Sequence, residues 1–512
     1  MTKVNNLLFI GIAAALLGCN TPVENPNDKT PNGDSTSTSV PGTVPVRDVK
    51  TYVTTADGTM GFVAIGKDYA EGLNMSPERT LKLNPKVRYQ EFDGFGAAIT
   101  GAAAFNLMQM PADRRQKLLV ETFSHEKGMG YGYVRVPIGG SDFNSRSNYD
   151  YTCCDTKGIE NFGLTSDEVD YIIPVLKEIL SINPDLKVMG TPWSCPIWMK
   201  VDDIHSKAPY TGDKNKNKWV GGYLNPDYYQ DYAMYFVKWI KAFEAEGIRI
   251  TSVTPQNEPL NWGNSMSLYM PWDQERDFIK LALGPVFKRE GVEAKIICFD
   301  HNYNYDGKTD QLQYPIKIYA DAEASQYIDG AAYHSYGGSP VELDNIHKQA
   351  PDKNLYFTEQ SIGTWNYQSF GQSLMSEMKN TCIGTVTRWC KAVIVWNFML
   401  DENGGPHGGP GACATCYGSV DISSKDYTTL TKRSHYYVIG HLSKALKPGS
   451  TRIGVSGYMP TGLSAVASEN PDGTYGLVLL NENATGMSLI IEHDGKHFEI
   501  QLPAESITSC IL

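Results

Sequence analysis

Residues 249–259 read Arg-Ile-Thr-Ser-Val-Thr-Pro-Gln-Asn-Glu-Pro and join a short β-branched strand to a polar end. The strand part, Arg249–Thr254, is rich in residues that favour extended structure. The polar part carries Asn257 and Glu258. Short apolar strands of this kind, separated by helices, are typical of a parallel sheet that is buried on both faces.

The same pattern occurs eight times, and amphipathic helical stretches separate the copies. The eight strand candidates are Gly94–Thr100, Gly132–Ile138, Lys187–Pro192, Arg249–Thr254, Lys295–Phe299, Ala331–His334, Asn354–Thr358 and Ala392–Asn397. Eight strand–helix units predict an α/β fold, a (β/α)8 TIM barrel over residues 91–432.

The two chain ends have a different pattern. Residues 46–90 contain short β runs, and residues 433–512 contain one linking helix followed by strands separated by the turns Asp472-Gly473 and Asp494-Gly495. We therefore predict a small antiparallel β-sandwich at the side of the barrel, formed from both chain ends.

The first residues are typical of an export signal. Lys3 precedes an apolar run, Leu7–Leu17, that is too short to span a membrane, and Leu16-Leu17-Gly18-Cys19 matches a bacterial lipobox. We predict a lipoprotein signal peptide over residues 1–18 and lipidation of Cys19; the alternative is an ordinary signal peptide that contains a cysteine.

Residues 19–45 are rich in Pro, Asn, Asp, Ser, Thr and Gly and predict a disordered tether. The protein is then expected in a bacterial cell envelope, anchored to a membrane by lipid alone. Whether it faces the periplasm or the cell surface, and whether the outer membrane holds it, stays open.

The charge balance excludes one class of partner. The chain has 45 basic and 57 acidic residues, a formal net charge of −12, and 11% aromatic residues. Nucleic-acid binding depends largely on Lys and Arg, so this composition argues against it. A neutral polysaccharide or oligosaccharide fits the acidic, aromatic-rich chain better.

The ten cysteines fit an exported protein. Cys413-x-x-Cys416 lacks a second Cys or His pair at zinc-finger spacing, so we expect a disulfide there and no metal. Cys195 and Cys298 lie in apolar strands and are candidates for free thiols. The disulfide candidates are Cys153 with Cys154, Cys382 with Cys390, and Cys413 with Cys416.

Two carboxylates end predicted barrel strands. Glu258 follows the fourth strand and Glu359 ends the seventh, so both are expected at the mouth where barrel enzymes place catalytic groups. Glycoside hydrolysis needs two such groups, one protonated to assist the leaving oxygen and one ionised to attack or to activate water.

Aromatic and polar side chains at other strand ends fit the same chemistry. Flat aromatic rings stack on sugar C–H faces. Arg135 is placed to keep a carboxylate ionised, and His334 to bond a substrate hydroxyl or a catalytic carboxylate. The aromatic candidates are Trp193, Trp198, Tyr336 and Trp396.

From about Phe92 to the C-terminus the sequence resembles glycoside hydrolase family 30, the family of human lysosomal glucosylceramidase. The matching stretches are Gly94-Phe-Gly-Ala-Ala-Ile-Thr100, Arg135-Val-Pro, Thr191-Pro-Trp-Ser-Cys-Pro-Ile-Trp198, Gln256-Asn-Glu-Pro259, His334-Ser-Tyr336, Thr358-Glu359, Trp396-Asn397, Gly404-Gly-Pro406 and Val420-Asp-Ile422.

This resemblance implies a barrel with a side β-sandwich, a retaining mechanism and no cofactor. It implies that Glu258 is the acid/base, that Glu359 is the nucleophile and that Asn257 binds the sugar 2-hydroxyl. The positions that match residues around the −1 sugar are Arg135, Trp193, His334, Tyr336 and Trp396.

One position departs from the glucosylceramidase pattern. Those members have Met-Thr-Asp after the first strand, with the Asp binding O4 and O6 of a terminal glucose, whereas this chain has Ile99-Thr100-Gly101. The missing side chain predicts an opening at O6, as a β-1,6-linked chain requires. The alternative is that a neighbouring loop supplies the contact.

The sequence thus predicts a retaining endo-β-1,6-glucanase, as some microbial family members are, acting on glucan such as that of fungal walls. Two alternatives stay open within enzymes: an exo-acting β-glucosidase or β-xylosidase, and a glucosylceramidase-like enzyme. A rival from another class is a non-catalytic surface glycan-binding protein, against which the intact Glu258 and Glu359 argue.

Overall fold

The computed structural model describes residues 49–66, 76–146, 151–212, 219–264, 266–303, 307–366, 368–408 and 412–512. The predicted signal peptide, the lipidation site at Cys19 and the tether up to residue 45 lie outside these described residues. Within them, no helix has both the length and the apolar character needed to cross a bilayer.

Eight parallel strands form a closed barrel, as the sequence predicts. Neighbours pair in chain order, and the first and second strands meet through a parallel bridge between Ala98 and Arg135, with Ile99 N donating to Arg135 O at 2.9 Å. Barrel strands one to eight are Gly94–Ala97, Tyr133–Pro137, Lys187–Thr191, Ser252–Val253, Lys295–Asn302, Ile328–His334, Asn354–Glu359 and Cys390–Val395.

Helices surround the barrel and cover its apolar outer face, so that each strand is buried on both sides. In the described part of the chain, three helical runs contain a π-helical segment, at Glu168–Ile172, Ile279–Leu283 and Glu377–Ile383. The α-helices are Gly101–Gln109, Ala112–Phe123, Ile173–Ile182, Tyr229–Ala245, Trp272–Phe278, Gly284–Glu290, Tyr314–Tyr319, Ala322–Ser325, Val341–Gln349, Phe370–Ser376, Gly384–Val386 and Ser434–Ala445.

The chain ends form a second, nine-stranded sheet with its own apolar core, which confirms the predicted side β-structure. Lys50–Thr55 pairs antiparallel with Ser506–Ile511, so strands from opposite ends of the chain are direct neighbours. The strands, in sheet order, are Val63–Gly66, Lys50–Thr55, Ser506–Ile511, Tyr475–Asn481, Leu463–Glu469, Thr451–Gly457, Thr80–Glu91, Met487–His493 and Lys496–Leu502.

Helix Ser434–Ala445 connects the barrel to this sheet. The imidazole of His441 lies 2.8 Å from Ser509 Oγ and 2.9 Å from Thr54 Oγ1, and burial lowers its pKa to about 3. Because this helix contacts both parts, the exact domain boundaries at residues 91 and 433 stay predictions.

The cysteines correct two of the predicted pairings. Cys413 and Cys416 form a disulfide, as expected. The other two candidate pairs are free thiols: Cys153 Sγ donates to Glu168 Oε2 at 3.2 Å and Cys154 Sγ to the carbonyl oxygen of Gly158 at 3.2 Å, while Cys382 and Cys390 are buried in the apolar core. The free, buried cysteines of the described residues are Cys153, Cys154, Cys195, Cys298, Cys382, Cys390 and Cys510.

Candidate active site

The two predicted carboxylates meet at the carboxyl end of the barrel. Glu258 follows strand four and Glu359 ends strand seven; both are buried, and an oxygen of one lies within 4.8 Å of an oxygen of the other. Inverting glycosidases separate the two carboxyl groups by about 6.5–9.5 Å and retaining ones by about 5–5.5 Å. The observed separation fits retention of configuration.

A bulge in strand five places a third carboxylate below this pair. The pairing of strands five and six shifts between Phe299 and His301, and both Phe299 (φ 73°) and Asp300 (φ 61°) have left-handed backbone conformations. The extra residue turns the Asp300 side chain into the barrel, where it is fully buried. The strand predicted from the sequence ends at Phe299, so that prediction did not include Asp300.

Asp300 accepts four hydrogen bonds from four different strands. Arg135 Nη2 and Thr254 Oγ1 donate to Oδ2 at 2.8 and 2.9 Å. Thr358 Oγ1 donates to Oδ1 at 2.6 Å, and His334 Nε2 lies 3.1 Å from the same oxygen. Burial alone would raise the pKa of Asp300, but Arg135 and His334 outweigh it and keep the carboxylate ionised.

Arg135 reaches from Asp300 to the nucleophile candidate. Its Nη1 donates to Glu359 Oε2 at 2.6 Å, and its Nη2 also donates to Asn257 Oδ1 at 2.7 Å. The predicted pairing of Arg135 with a carboxylate is therefore present. The guanidinium is fully buried and lies over the rings of Trp193 and Trp396, at 4.9 and 5.4 Å from their centroids.

His334 bridges Asp300 and the acid/base candidate. Its Nδ1 lies 3.2 Å from Glu258 Oε1 and 4.0 Å from Glu359 Oε1. Burial lowers the pKa of His334, but the charges of Glu359 and Asp300 and the bond to Glu258 raise it to about 9. The imidazole is therefore a cation at neutral pH, inside a cluster of carboxylates.

The surroundings push the pKa values of the two carboxyl groups apart. Burial raises the pKa of Glu258, but hydrogen bonds from His334 and from Asn261 Nδ2 (2.7 Å) outweigh it and lower the value to about 2. Burial and repulsion from Glu258 raise the pKa of Glu359. The positive charges of His334 and Arg135 lower it, but they do not outweigh the rise. Glu258 is thus the more acidic of the two groups, because the His334 cation contacts it directly. The predicted roles require the opposite order, with Glu258 protonated as the acid and Glu359 ionised as the nucleophile.

The predicted aromatic residues divide into two groups. Trp193 and Trp396 are buried and stack on each other at 5.0 Å, and Tyr336 is 42% exposed and donates from its hydroxyl to Glu359 Oε1 at 3.1 Å. Trp198 does not reach the site: its Nε1 donates to Cys154 O and its ring packs against Tyr228.

A cavity of about 390 Å³ opens above the two carboxylates. Its wall includes the disulfide and the 41% exposed ring of Trp365. The lining residues are Asp142, Glu258, Asn261, Asn264, His301, Asn302, Tyr336, Glu359, Ser361, Trp365, Trp396, Cys413 and Cys416.

Asp142 is a cavity residue that is absent from the site predicted from the sequence. Its Oδ1 is buried and has no hydrogen-bond partner among the described protein atoms. Burial raises the pKa of Asp142 well above its ordinary range, and the charges of Glu359 and Glu258 add to the effect. Its position after strand two, in Gly139-Gly-Ser-Asp142, was the signal available in the sequence.

The structure contradicts the prediction that Gly101 opens the cavity. Gly101 is buried at the start of helix Gly101–Gln109 and is absent from the cavity wall. A Cβ at this position would lie 2.1 Å from Asp167 Oδ2. Asp167 itself is held by the backbone N–H of Ser145 at 2.8 Å and by the Ser145 hydroxyl. The space that a side chain would need is therefore filled by a fixed carboxylate.

Among the described residues, one group has the spacing of metal ligands: Glu258, His334 and Glu359. Both ring nitrogens of His334 already face carboxylates, and Arg135 already bonds Glu359. A metal would have to displace these bonds, so the arrangement fits acid–base and nucleophilic chemistry better than metal binding.

Comparison with protein families gives a match over both parts of the fold. Residues 92–446 match the glycosyl hydrolase family 30 TIM-barrel domain, and residues 449–510 match the glycosyl hydrolase family 30 beta sandwich domain.

Individual relatives carry more specific descriptions. The endo-1,6-beta-D-glucanase BGN16.3 of Trichoderma harzianum is 31% identical over 443 residues, 83% of this chain and 84% of the relative. The lysosomal acid glucosylceramidase of Mus musculus is 28% identical, over 80% and 79% of the two chains. Among solved structures, the endo-beta1,6-glucanase BT3312 is 52% identical with a TM-score of 0.87, covering 91% of this chain and 99% of that chain.

We expect the substitution Gly101→Asp to destabilise the fold instead of changing specificity. The new side chain would meet the fixed Asp167 carboxylate in a buried space, at a cost of about 3 kcal/mol of unfolding free energy. Urea denaturation measures the change. The matched control is Gly163→Asp at an exposed site with open space around Gly163, where we expect little effect. A stable Gly101→Asp protein with altered polymer cleavage would contradict this interpretation.

Proposed function

Because the chain belongs to glycosyl hydrolase family 30, we propose that it is a retaining endo-β-1,6-glucanase. The observation that carries the linkage is the 52% identity with the endo-beta1,6-glucanase BT3312 over 91% of this chain, and the Trichoderma enzyme adds support. The spacing of Glu258 and Glu359 supports the double displacement.

In the first step Glu359 attacks C1 of the −1 glucose and forms a glucosyl-enzyme, while Glu258 protonates the leaving oxygen. Arg135 and Tyr336 donate to the two oxygens of Glu359, so they orient its carboxylate and stabilise its charge. In the second step Glu258 removes a proton from water, which attacks C1 and releases Glu359.

The first step requires Glu258 to be protonated when the substrate is bound. In the unliganded site the His334 cation favours its ionised form. Substrate binding has to reverse this preference. A sugar that fills the cavity excludes water from the Glu258 carboxyl, and desolvation raises the pKa of a carboxyl group.

Several groups are placed to bind the −1 glucose. Asn257 Oδ1 accepts from Arg135, which leaves the Nδ2 of Asn257 to donate to a sugar oxygen, as a role at the 2-hydroxyl requires. Trp193 Nε1 is buried with no partner among the described protein atoms, and the Trp193 ring stacks on Trp396. The Trp396 ring lines the cavity and offers an apolar face.

Asp142 favours a second candidate function, exo-acting hydrolysis of terminal glucosides. Asp142 lines the cavity that holds Glu258 and Glu359, and its Oδ1 is buried with no partner among the described protein atoms. A carboxyl group there can bind the free hydroxyls of a terminal glucose, which is the contact that Gly101 cannot make. Because Gly101 does not open the cavity, the similarity to known endo-β-1,6-glucanases supports endo action, and no described residue of the cavity does.

The products formed early in digestion decide between the two functions. With β-1,6-glucan, an endo enzyme releases a ladder of oligosaccharides in the first minutes, and an exo enzyme releases glucose alone. Chromatography of early products, with β-1,3- and β-1,4-glucans as controls, makes the measurement. Glucose as the sole early product would replace the endo proposal with the exo one, and no release from any glucan would reject both.

Substitution of the two carboxylates tests their roles. Glu359→Gln removes the nucleophile and should lower kcat by about 10⁴-fold or more on every substrate. Glu258→Gln should lower kcat/KM on glucan by about 10²–10⁴-fold, but aryl β-glucosides with good leaving groups need no proton for the first step and should still form the glucosyl-enzyme.

A burst of aryl alcohol followed by slow turnover is the expected signature of Glu258→Gln. Azide, which needs no general base, should speed the second step. Equal loss on glucan and on activated aryl glucosides would contradict the assignment of Glu258 as the acid/base.

We further propose that the protein is a lipoprotein of a bacterial cell envelope, from the apolar run Leu7–Leu17 and the sequence Leu16-Leu17-Gly18-Cys19. In an expressing bacterium, Cys19→Ser should move the enzyme from the membrane fraction to the soluble fraction or leave it unprocessed. Mass spectrometry of the N-terminus of the wild-type protein provides the direct check, and an unmodified Cys19 would reject the proposal.

A further inference from the structure

Glu275 is a buried carboxyl group that the mechanism above does not use. It lies on helix Trp272–Phe278 with no exposed surface. Its Oε1 accepts from the backbone N–H of Phe299 at 3.1 Å, and its Oε2 lies 2.6 Å from Tyr314 Oη. No ion pair within the described part of the chain includes Glu275. A buried, ionised carboxylate without a cation is costly.

The hydrogen bonds of Tyr314 determine the protonation state of the Glu275 carboxyl group. Tyr314 Oη lies 2.6 Å from Glu275 and 2.7 Å from the carbonyl oxygen of Met270. A tyrosine hydroxyl has one proton, and a carbonyl oxygen can only accept. The hydroxyl therefore donates to Met270 O, and the remaining short contact needs a proton from the Glu275 carboxyl.

These contacts lead directly to the active site. Phe299 begins the bulge that turns Asp300 into the barrel, and its ring also packs on Tyr314 at 4.8 Å. On the other side, Met270 N donates to the carbonyl of Pro259, the residue after Glu258. Glu275 and Tyr314 thus tie together the strand-five bulge and the loop after strand four.

We propose that Glu275 is a positioning residue that acts as the neutral acid: its carboxyl accepts from Phe299 and donates to Tyr314, and its ionisation loosens the bulge that holds Asp300. Asp300 positions Arg135 and His334, which contact Glu359 and Glu258. Deprotonation of Glu275 therefore lowers activity although Glu275 does not touch the substrate.

The surroundings of Glu275 support the neutral form. Burial raises its pKa to about 7 against the contact with Tyr314 and the hydrogen bond from Phe299, and the charge of Asp300 adds to the rise. Burial likewise raises the pKa values of Tyr314, Tyr319 and Cys298, so these neighbours are neutral at pH 7. The titratable groups around it are Tyr314 and Tyr319 from helix Tyr314–Tyr319, Cys298 and Asp300 from strand five, and Asp273 from its own helix.

The raised pKa of Glu275 determines how the free energy of unfolding changes with pH. The ordinary pKa of a Glu, which applies to the unfolded chain, is 4.5, below the folded value of about 7. Between these values the unfolded chain binds fewer protons, so the contribution of Glu275 is most favourable below pH 4.5 and is lost as the pH rises towards 7.

Glu275→Gln is the test, because glutamine keeps both bonds at every pH: its oxygen accepts from Phe299 and its amide donates to Tyr314. Between pH 5 and pH 8 the folding equilibrium constant of the wild type should fall, relative to that of the variant, by roughly 50- to 100-fold. Urea denaturation at a series of pH values measures it. A constant ratio across this range, or a Glu275→Gln chain that does not fold, would overturn the proposal.

The matched control is Glu168→Gln, at a second fully buried carboxyl group. Glu168 accepts hydrogen bonds from Gly139 N, Thr165 N and Trp239 Nε1. The NH2 group of a glutamine there would face these N–H donors, so the substitution should destabilise the protein at every pH. A second variant, Glu275→Met, loses both hydrogen bonds. Its folding equilibrium constant should be lower than that of Glu275→Gln by a factor that does not change between pH 5 and 8. A factor that changes with pH would overturn the proposal.

The activity measurement rests on the proposed function, whereas the stability measurement does not. On an aryl β-glucoside, Glu275→Gln should stay within about threefold of wild-type kcat/KM at pH 5.5 and should keep its activity to higher pH than the wild type. If neither protein hydrolyses the glucoside, the same comparison is made with β-1,6-glucan; if neither cleaves the glucan, the proposed function fails and the stability result still decides the state of Glu275. Superimposable pH profiles of two active proteins would reject the positioning role.

Discussion

The Asp300 carboxylate lies at the base of the active site and accepts hydrogen bonds from groups on strands two, four, six and seven. Together with Glu359 and Glu258 it raises the pKa of His334 against the effect of burial, and it fixes the guanidinium of Arg135. Those two cations in turn contact Glu258 and Glu359. Removal of the Asp300 charge would leave two buried cations with fewer partners, so the arrangement of the two carboxylates depends on it.

Backbone strain is concentrated at the same level of the barrel. Glu258 (φ 43°), Phe299 (φ 73°) and Asp300 (φ 61°) all have left-handed conformations that side chains other than glycine rarely adopt. Such conformations persist where the surroundings fix them. Here Glu258 N donates to Asp300 O at 3.0 Å, so the two strained segments hold each other.

The sequence predicts the fold and the residues that follow buried strands directly, because strand spacing and strand ends are local patterns. Glu258 follows such a strand, Glu359 and His334 end one, and Arg135 lies within one, so the strand pattern indicates all four. Asp300 was missed because a bulge leaves no trace in hydrophobic periodicity. Gly101 was misjudged because Asp167, which fills its space, is 66 residues away in the chain, and no pattern within the sequence links the two.

Disulfide pairing shows the same limit. Cysteines three residues apart, Cys413 and Cys416, were paired correctly from spacing. The adjacent pair Cys153 and Cys154 and the pair Cys382 and Cys390 are free, because side-chain direction depends on packing that spacing alone does not describe.

The pairing of Lys50–Thr55 with Ser506–Ile511 has a consequence for synthesis in the cell. A ribosome adds roughly 5–20 residues per second, so the first strand waits for its last neighbour for on the order of a minute. During that time its free edge is exposed to other chains. A chain truncated before residue 506 leaves that edge open permanently, so loss of the last few residues endangers solubility although the catalytic barrel is complete.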